Sequence, residues 1–315
     1  MKVSIILCTY NRCKSLALAL DSIAKLEMPQ SVMWEVLIVD NNSGDQTREV
    51  AGEFCREHSG RFRYLFEPRQ GKSHALNTGI REAQGDILAF TDDDLTVGST
   101  WLQKLTAPLG KMEWAGVGGR TAPPKSFVAP RWLQVDGRFA LGPLGMFDLG
   151  GKPGELTEAP IGNNMAYRRE LFEKHGGFRT DLGPRPGSEI RSEDSEFGRR
   201  LISAGERLWY EPSAVVHHSV PNSRVQKDYF LKWWYAKARA DIRESGSVAG
   251  ASWFVAGVPL VLFRRLAVWT LRWMFAVGSA RRFANKINTW TCAGQIEECF
   301  CQASSKGRHK DARCT

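Results

Sequence analysis

Three consecutive aspartates, Asp92, Asp93 and Asp94, follow the short apolar run at residues 87–90 in this 315-residue chain. An apolar run of this length is typical of a buried strand, and a strand that ends in carboxylates presents oxygen atoms at the edge of a sheet. The three adjacent negative charges repel one another, and hard divalent ions such as Mg²⁺ or Mn²⁺ prefer oxygen ligands. The triplet therefore predicts a cation site, the alternative being a solvated acidic turn.

A second apolar run, at residues 36–39, also ends in an aspartate, Asp40. The carboxyl ends of parallel strands lie on the same edge of a sheet, which is where ligands of open α/β sheets bind. We therefore expect Asp40 and the aspartate triplet to share one edge.

The elements that position these residues alternate along residues 1–120. We expect strands at residues 3–8, 36–39, 62–66, 87–90 and 115–117, and helices at 45–58 and 73–83. This rhythm predicts parallel βαβ units, and therefore an α/β fold with a mostly parallel central sheet and helices on both faces.

The rest of the chain differs in character. Residues 123–157 are rich in Pro and Gly and predict a long loop, of the kind that often forms a lid or binding element. Helices are expected at residues 168–174, 193–203 and 224–244. We expect one domain over residues 1–220, a basic helical region over 221–283, and a polar, cysteine-containing and disordered tail over 284–315.

The formal net charge of +9 is concentrated near the C-terminus. Residues 221–315 hold 16 Lys and Arg against 6 Asp and Glu, a net of +10, and the first 220 residues hold 27 against 28, a net of −1. Such an asymmetry favours an anionic partner, either a membrane surface or a nucleic acid. Because no signal-peptide pattern precedes residues 3–7, we expect the body of the protein to lie in the cytosol.

Residues 251–283 are apolar with interspersed arginines. At about 100° per residue, one helix face collects Arg264, Arg265, Arg272 and Arg282, and the other side collects Leu262, Leu266, Trp269 and Trp273. This pattern favours an amphipathic helix lying in a membrane interface. The alternatives are a helix packed on the protein's own core and a marginal membrane span, since the longest uncharged stretch, residues 245–263, is interrupted by Gly, Ser and Pro.

Seven short motifs stand in order along residues 3–220. They are 6–12 (ILCTYNR), 38–43 (IVDNNS), 71–79 (GKSHALNTG), 85–94 (GDILAFTDDD), 162–169 (GNNMAYRR), 176–178 (GGF) and 193–196 (EDSE). Together they resemble the family 2 glycosyltransferases with the GT-A fold. The resemblance implies transfer of a sugar from a nucleotide diphosphate to a hydroxyl group, with residues 1–120 as the nucleotide-binding half and 121–220 as the acceptor half.

The resemblance implies roles at the metal and the donor diphosphate. Asp94 is expected to bind Mn²⁺ or Mg²⁺, with Asp92 assisting the metal or facing the ribose and Asp93 between them. A histidine after a strand is an added metal ligand or phosphate contact in some such enzymes, which implies His218, although a histidine there often only packs. Lys72 is expected to contact the nucleotide or its phosphates, the alternative being a solvated lysine.

Other residues are implied to bind the nucleoside. Asp40 matches the aspartate that hydrogen-bonds the base, although a strand-end Asx turn also explains it. Thr9, Tyr10 and Asn11 end the first strand beside it and are expected to touch the base. Asn41 departs from the pattern, because many relatives carry a second aspartate there.

The resemblance implies that residues 193–196 act on the acceptor hydroxyl. Asp194 matches the general base, with Glu193 as the alternative; a carboxylate in a first helical turn can also simply stabilise the helix dipole. A base opposite the leaving group implies a single in-line displacement and inversion at the anomeric carbon.

The implied protein is an inverting, metal-dependent, non-processive glycosyltransferase with UDP as the expected carrier. Its expected partners are a saccharide or polyprenyl-linked acceptor and an anionic membrane surface at the cytoplasmic face, where it is held peripherally or monotopically, and no nucleic acid. The alternatives are a processive polysaccharide synthase, a sugar-phosphate nucleotidyltransferase and a non-catalytic binding module. The synthase would carry a QxxRW element that Arg131 and Trp132 do not complete, and the nucleotidyltransferase a glycine-rich loop after the first strand.

Overall fold

The computed structural model of the protein describes residues 1–124, 126–133, 141–188, 191–246, 248 and 251–311, with side chains of the last helix described as far as residue 304. Contacts divide the chain into two compact units. The first takes its described residues from Met1–Phe127, Leu144–Ser188 and Glu193–Val220, and the second from Val128–Pro143, Glu189–Ser192 and Pro221–Thr315.

The first half of the first unit alternates strands and helices. Its elements are β1 (Lys2–Thr9), α1 (Cys13–Ala24), β2 (Met33–Asp40), α2 (Thr47–Glu57), β3 (Phe62–Phe66), α3 (Lys72–Glu82) and β4 (Ile87–Asp92). Within β1, Val3, Ile5 and Leu7 belong to one hydrophobic cluster, and Ile6 and Cys8 to another. A strand buried on both faces has a nearly continuous apolar sequence, which explains why Ser4 is the one polar residue in the run at residues 3–8.

The second half of this unit is less regular. Its elements are β5 (Leu95–Val97), α4 (Trp101–Thr106), β6 (Gly116–Ala122), β7 (Gly154–Leu156), β8 (Asn164–Arg168), α5 (Glu170–His175), α6 (Glu193–Ser203) and β9 (Leu208–His218). The sequence patterns do not predict β5, β7 or β8. The first two are only three residues long, and β8 begins at an asparagine, a residue that is depleted in strands.

Among the described residues, nine strands form one mixed sheet, in the order β3-β2-β1-β4-β8-β6-β9-β5 with β7 beside β9. The β3-β2-β1-β4 portion is parallel. Strand β8 then joins β4 in the antiparallel direction, and β5 joins β9 likewise. The parallel portion confirms the expected α/β class, and the antiparallel portion brings the end of β9 to the start of β5.

The long loop expected at residues 123–157 contains short ordered elements. Residues 125 and 134–140 lie outside the described residues. The rest includes a 3-10 turn at Gly142–Leu144, the strand β7, and an isolated bridge between Thr121 and Phe147. Because Leu144 and Phe147 are buried, these flanking parts of the loop are anchored in the hydrophobic core.

The second unit is mainly helical. Its elements are α7 (Lys227–Ser245), the two-residue strands β10 (Phe254–Val255) and β11 (Val258–Pro259), α8 (Leu260–Phe275) and α9 (Ser279–Asp311). Helix α9 packs along both α7 and α8. No helix in the described part of the chain combines the length and the apolar content that crossing a bilayer requires.

The disordered tail expected at residues 284–315 is instead helical as far as it is described, and residues 312–315 lie outside the described residues. Thr289, Cys292 and Glu298 are buried in this helix. A packed helix needs small or apolar residues only at every third or fourth position, so its polar average composition hid the pattern.

The continuous helix expected over residues 251–283 is interrupted twice. The antiparallel hairpin of β10 and β11 precedes α8, and Gly278 has a φ of 90°, a left-handed conformation that glycine adopts readily, between α8 and α9. Arg282 therefore belongs to α9 and does not continue the arginine face of α8. The Leu262, Leu266, Trp269 and Trp273 side is buried or half-buried, and Trp273 packs edge-on against Trp290 of α9, so this side faces the protein's own core.

A buried charge cluster links α7 to α9. Arg239 Nε and Arg243 Nε donate hydrogen bonds to the Glu298 carboxylate at 3.0 and 2.6 Å. We expect Glu298→Ala to lower the free energy of unfolding by about 2 kcal/mol, because two partly buried guanidinium groups lose their charged acceptor. Urea unfolding followed by circular dichroism measures this change.

The neighbouring Glu297 provides the matched control. Its side chain is 43% exposed, pairs with Arg239 and accepts a hydrogen bond from Tyr235 OH, so Glu297→Ala should cost less than Glu298→Ala, about 1 kcal/mol. Equal losses in the two variants would contradict a special role for the buried carboxylate.

Candidate active site

The carboxyl ends of the parallel strands meet at one edge of the sheet. In the β1–β2 pair Thr9 lies opposite Asp40, and in the β1–β4 pair Cys8 lies opposite Asp92. The two acidic strand ends expected from the sequence therefore share one edge, as parallel pairing requires.

An arginine holds two members of the aspartate triplet. Arg12 Nη1 lies 2.8 Å from Asp93 Oδ1 and 2.9 Å from Asp94 Oδ2. Burial raises the pKa of Asp93 to about 6, although the Arg12 charge opposes this shift. Burial alone would lower the pKa of Arg12, but Asp93 and Asp94 raise it above its ordinary value. The guanidinium thus offsets the repulsion within the triplet.

His218 reaches Asp94 from the antiparallel part of the sheet. Leu95 of β5 pairs with His218 of β9, which places the imidazole beside the residue that precedes Leu95. His218 Nε2 lies 3.2 Å from Asp94 Oδ1, and the side chain is buried, whereas that of His217 is exposed. Of the two neighbouring histidines, His218 is therefore the one that contacts the triplet.

Lys72 connects the triplet with the acidic start of α6. It is the first residue of α3, and its Nζ lies 2.7 Å from Asp92 Oδ1. Burial alone would lower the pKa of Lys72, but the charges of Asp92, Glu193 and Asp194 raise it above its ordinary value. Lys72 therefore lies within electrostatic reach of both acidic groups and is not the solvated lysine of the alternative interpretation.

Asp194 is held by main-chain amides. Its Oδ2 accepts a hydrogen bond from Gly162 N at 2.6 Å, and its Oδ1 accepts one from Ser195 N at 2.6 Å. A Cβ added at Gly162 would lie 2.9 Å from Asp194 Cβ, so a side chain there would displace the carboxylate. Asp194 is half-buried, whereas Glu193 beside it is only 4% exposed.

Asp40 has two hydrogen bonds of its own. Its Oδ1 accepts from Ser43 N at 2.9 Å, and its Oδ2 accepts from Tyr64 OH at 2.8 Å. The first of these is the Asx turn of the alternative interpretation. Each carboxylate oxygen still has a second lone pair, so these bonds leave acceptor capacity for a nucleotide base. Burial and the Asp40 carboxylate raise the pKa of Tyr64, which keeps it a donor.

The end of β1 is tied to the loop that follows β2. Asn11 has a φ of 52°, and its backbone N donates to Ser43 Oγ at 2.9 Å. Its Oδ1 accepts from Gly44 N at 2.7 Å. Thr9 is buried and Tyr10 is exposed at this edge, so among the three residues expected near the base, Tyr10 presents its ring to solvent.

The Asn41 side chain forms hydrogen bonds with the main chain of the loop that precedes α3. Its Nδ2 donates to the carbonyl oxygens of Glu67 and Arg69 at 3.1 and 2.7 Å, and its Oδ1 accepts from Gly71 N at 2.8 Å. An aspartate could make the last of these bonds but has no amide hydrogens for the first two. Asn41 therefore holds the loop that leads to Lys72.

Two of the three expected metal ligands lie together. Asp94 and His218 form a pair, whereas Asp92 accepts from Lys72. In the described part of the chain no three His, Cys, Asp or Glu side chains are gathered to hold a metal ion. Mg²⁺ and Mn²⁺ sites often combine one or two protein ligands with water and phosphate oxygens, so the oxygen and imidazole donors of this pair fit such an ion.

Sequence reasoning did not assign a role to Arg12. The signal was present, because Arg12 lies only three residues after the end of the first strand, near the edge where the aspartate triplet was expected. Tyr64 was missed as well, since nothing in the pattern of β3 distinguishes a partner of Asp40 from an ordinary strand aromatic.

Comparisons with known proteins agree on one kind of protein. A family model described as "Glycosyl transferase family 2" matches residues 4–176, more than half of the chain. The chain is 28% identical over 232 residues to the succinoglycan biosynthesis protein ExoM of Rhizobium meliloti, covering 74% of this chain and 71% of that one. It is 27% identical over 232 residues to the glycosyltransferase AglE of Haloferax volcanii, covering 72% and 70%.

Among solved structures, the chain is similar to the mannosyltransferase PcManGT from Pyrobaculum calidifontis, determined in complex with GDP-Man and Mn²⁺. The TM-score is 0.58 at 21% sequence identity, covering 98% of this chain and 79% of that chain. At this identity the likeness shows the fold, which is the GT-A class expected from the sequence.

The Asn41 network generates a prediction. We expect Asn41→Asp to lower the free energy of unfolding by about 2–4 kcal/mol, because the carbonyls of Glu67 and Arg69 lose a donor and face a carboxylate. Thermal or urea unfolding measures the loss. The adjacent exposed Asn42 is the matched control, and an equally large loss in Asn42→Asp would show that the effect comes from added charge alone.

Proposed function

The chain belongs to the family 2 glycosyltransferases, and we propose that it transfers a sugar, with inversion, from a nucleotide-diphosphate donor to a hydroxyl group of a saccharide acceptor. The observation that carries this proposal is the position of Lys72. Its ammonium group is bound to Asp92 and is under the influence of Glu193 and Asp194. The proposed donor site and the proposed base therefore both act electrostatically on one side chain.

The donor is proposed to bind along the carboxyl edge of β1, β2 and β4. Asp40 would accept a hydrogen bond from the base, Thr9, Tyr10 and Asn11 would border it, and Asp92, Asp93 and Lys72 would face the ribose and phosphates. UDP is the proposed carrier, although the related structure PcManGT holds GDP-Man.

Asp94 and His218 are proposed to hold Mn²⁺ or Mg²⁺, with Asp92 assisting. The Mn²⁺ in the PcManGT structure supports a metal-dependent reaction. Bound there, the cation would stabilise the negative charge that develops on the departing nucleoside diphosphate. Arg12 keeps Asp94 in place by binding the oxygen that His218 does not contact.

Asp194 is proposed as the general base, with Glu193 as the alternative. The amides of Gly162 and Ser195 hold the Asp194 carboxylate in one orientation, which fixes the direction from which it accepts the acceptor's proton. Glu193 is the more deeply buried of the two and has less access to an incoming hydroxyl. A hydroxyl that attacks from the side of Asp194, opposite the leaving group, gives inversion.

The acceptor is proposed to be a saccharide carried on a lipid, such as a polyprenyl-linked one, at the cytoplasmic face of a membrane. A succinoglycan biosynthesis protein among the relatives supports a role in cell-surface polysaccharide synthesis. The basic C-terminal region supports peripheral docking on an anionic membrane surface.

Asp194→Asn tests the base. We expect the transfer rate to fall by at least about 100-fold, because an amide cannot accept the proton in the transition state. The affinity for nucleoside diphosphate should stay close to that of the wild type. Transfer assays and calorimetric titration measure the two, and Glu193→Gln is the matched control. Loss of transfer in Glu193→Gln with activity kept in Asp194→Asn would move the base to Glu193.

Asp94→Ala tests the metal. We expect it to abolish transfer and the thermal stabilisation that UDP and Mn²⁺ give together, because the carboxylate that binds the cation is gone. The exposed Asp86 offers a control, since Asp86→Ala removes the same charge from the amino end of β4. Wild-type turnover that continues unchanged in EDTA would contradict the metal assignment.

A further inference from the structure

Exposed apolar side chains are concentrated in one short part of the second unit. Of the 18 large apolar residues that are exposed in the described part of the chain, ten lie between residues 253 and 277. They are Trp253, Phe254, Val255, Leu260, Phe263, Val268, Leu271, Met274, Phe275 and Val277. Contiguous exposed apolar surface of this kind marks an interaction site.

The hairpin before α8 projects three of these side chains from a buried base. Trp253, Phe254 and Val255 are 74%, 58% and 54% exposed, whereas Val258 of the partner strand is 2% exposed and packs in a cluster with Leu262. Leu260 N donates to Trp253 O at 2.8 Å, which closes the hairpin. A Cβ added at Gly257, in the turn of the hairpin, would clash with Ala303 of α9, so this turn packs against α9 and the three exposed side chains extend from an anchored hairpin.

The exposed apolar residues of α8 lie on one side of the helix. At about 100° per residue they fall within an arc of about 140°, and the packed residues lie opposite. This α8 apolar face consists of Leu260, Phe263, Val268, Leu271, Met274 and Phe275. Because the Trp-rich side is packed, the α8 apolar face is a second, separate apolar surface, about 24 Å long for 16 residues.

Cations accompany this surface and carboxylates do not. Residues 246–296 contain Arg264, Arg265, Arg272, Arg281, Arg282 and Lys286 but no Asp or Glu. Among the described residues, none of the five arginines forms an ion pair with a carboxylate. Their charges are therefore not offset locally by the protein.

Two of these arginines line a hollow at the end of α8. A cavity of about 510 Å³ is lined by Trp269, Arg272, Phe275, Ala276, Val277, Arg281 and Asn285. Arg272 lies 4.8 Å from the Trp269 ring centre, and Asn285 Nδ2 donates to Arg272 O at 3.0 Å. The rim carries Phe275 and Val277, which are 79% and 89% exposed. Guanidinium groups beside protruding apolar side chains suit a phosphate group attached to acyl chains.

We propose that three surfaces form one docking surface for an anionic lipid bilayer. They are the exposed hairpin residues 253–255, the α8 apolar face and the hollow lined by Arg272 and Arg281. The apolar side chains enter the acyl boundary while the arginines bind lipid phosphates. This inference rests on the proposed function in one respect: docking would give the protein access to a lipid-borne acceptor.

Charge decides between a bilayer and a second copy of the chain. A two-fold contact would place this surface against itself, and six cations would then face six others without a carboxylate on either side. An anionic bilayer offers both the apolar interior and the complementary charge.

Sedimentation of the full-length protein with lipid vesicles tests the proposal. We expect binding to phosphatidylcholine vesicles that contain phosphatidylglycerol, weaker binding to phosphatidylcholine alone, and weakening by high salt. Arg272→Gln with Arg281→Gln should lower the partition coefficient roughly thirty-fold. Phe254→Ser with Phe275→Ser should lower it at least about tenfold.

Matched controls remove two positive charges or two exposed apolar side chains from the first unit. Lys104→Gln with Lys111→Gln removes two exposed charges, and Leu18→Ser with Met112→Ser removes two exposed apolar side chains, in each case without touching the docking surface. These controls should bind vesicles as the wild type does. Circular dichroism melting curves establish that every variant is folded.

Equal binding to neutral and anionic vesicles would overturn the proposal, and so would equal effects of the control and surface variants. A third contrary outcome is a wild-type protein that does not bind vesicles but self-associates, with the self-association abolished by Phe254→Ser with Phe275→Ser. Transfer to a soluble acceptor separates this result from the proposed function, because none of these substitutions touches the catalytic edge. Vesicle binding without transfer would contradict the proposed glycosyl transfer but not the docking surface. Transfer without vesicle binding would contradict the docking surface and the proposed membrane location but not the transfer itself.

Discussion

Repulsion between clustered carboxylates at the end of β4 is the constraint on which the active-site edge depends. Two unit charges about 4 Å apart at an effective dielectric constant near 20 repel by about 4 kcal/mol. The triplet can therefore stay together only with cationic or donor groups in contact. Arg12 binds Asp93 and Asp94, and Lys72 binds Asp92.

The sheet topology supplies these partners from distant parts of the chain. Parallel pairing of β1 with β4 places Arg12, three residues after the end of β1, beside the triplet. Antiparallel pairing of β5 with β9 adds His218 from the far side of the mixed sheet. Since a one-residue slip would turn each side chain to the opposite face, the register of both pairings determines whether the triplet is compensated.

The sequence predicts the parallel half of the fold well, because buried strands and amphipathic helices have distinct periods and parallel topology sends their acidic ends to one edge. It cannot predict that Lys72 binds Asp92 or that the Asn41 amide holds a loop, because these contacts depend on distances between segments about 20 to 30 residues apart.

In the C-terminal helices, the period of α8 indicates an apolar face but does not show whether lipid or protein lies against it. Only the packing of Trp273 against Trp290 shows which apolar side is internal. The packing of α9 is likewise not evident from its polar composition, because Glu298 is buried where Arg239 and Arg243 donate hydrogen bonds to it.

The balance of charge at this edge bears on what can bind there. The triplet and the first turn of α6 carry six carboxylates; Glu196 pairs with Arg200, and Arg12 and Lys72 form ion pairs with the triplet. A nucleoside diphosphate bound at this edge would add negative charge beside these carboxylates, of which Asp93 has a pKa raised by burial to about 6. A cation held by the proposed Asp94–His218 pair, where donor atoms of two kinds lie side by side, would supply positive charge beside the diphosphate. The density of carboxylates thus favours the proposed metal dependence on electrostatic grounds that do not depend on likeness to other proteins.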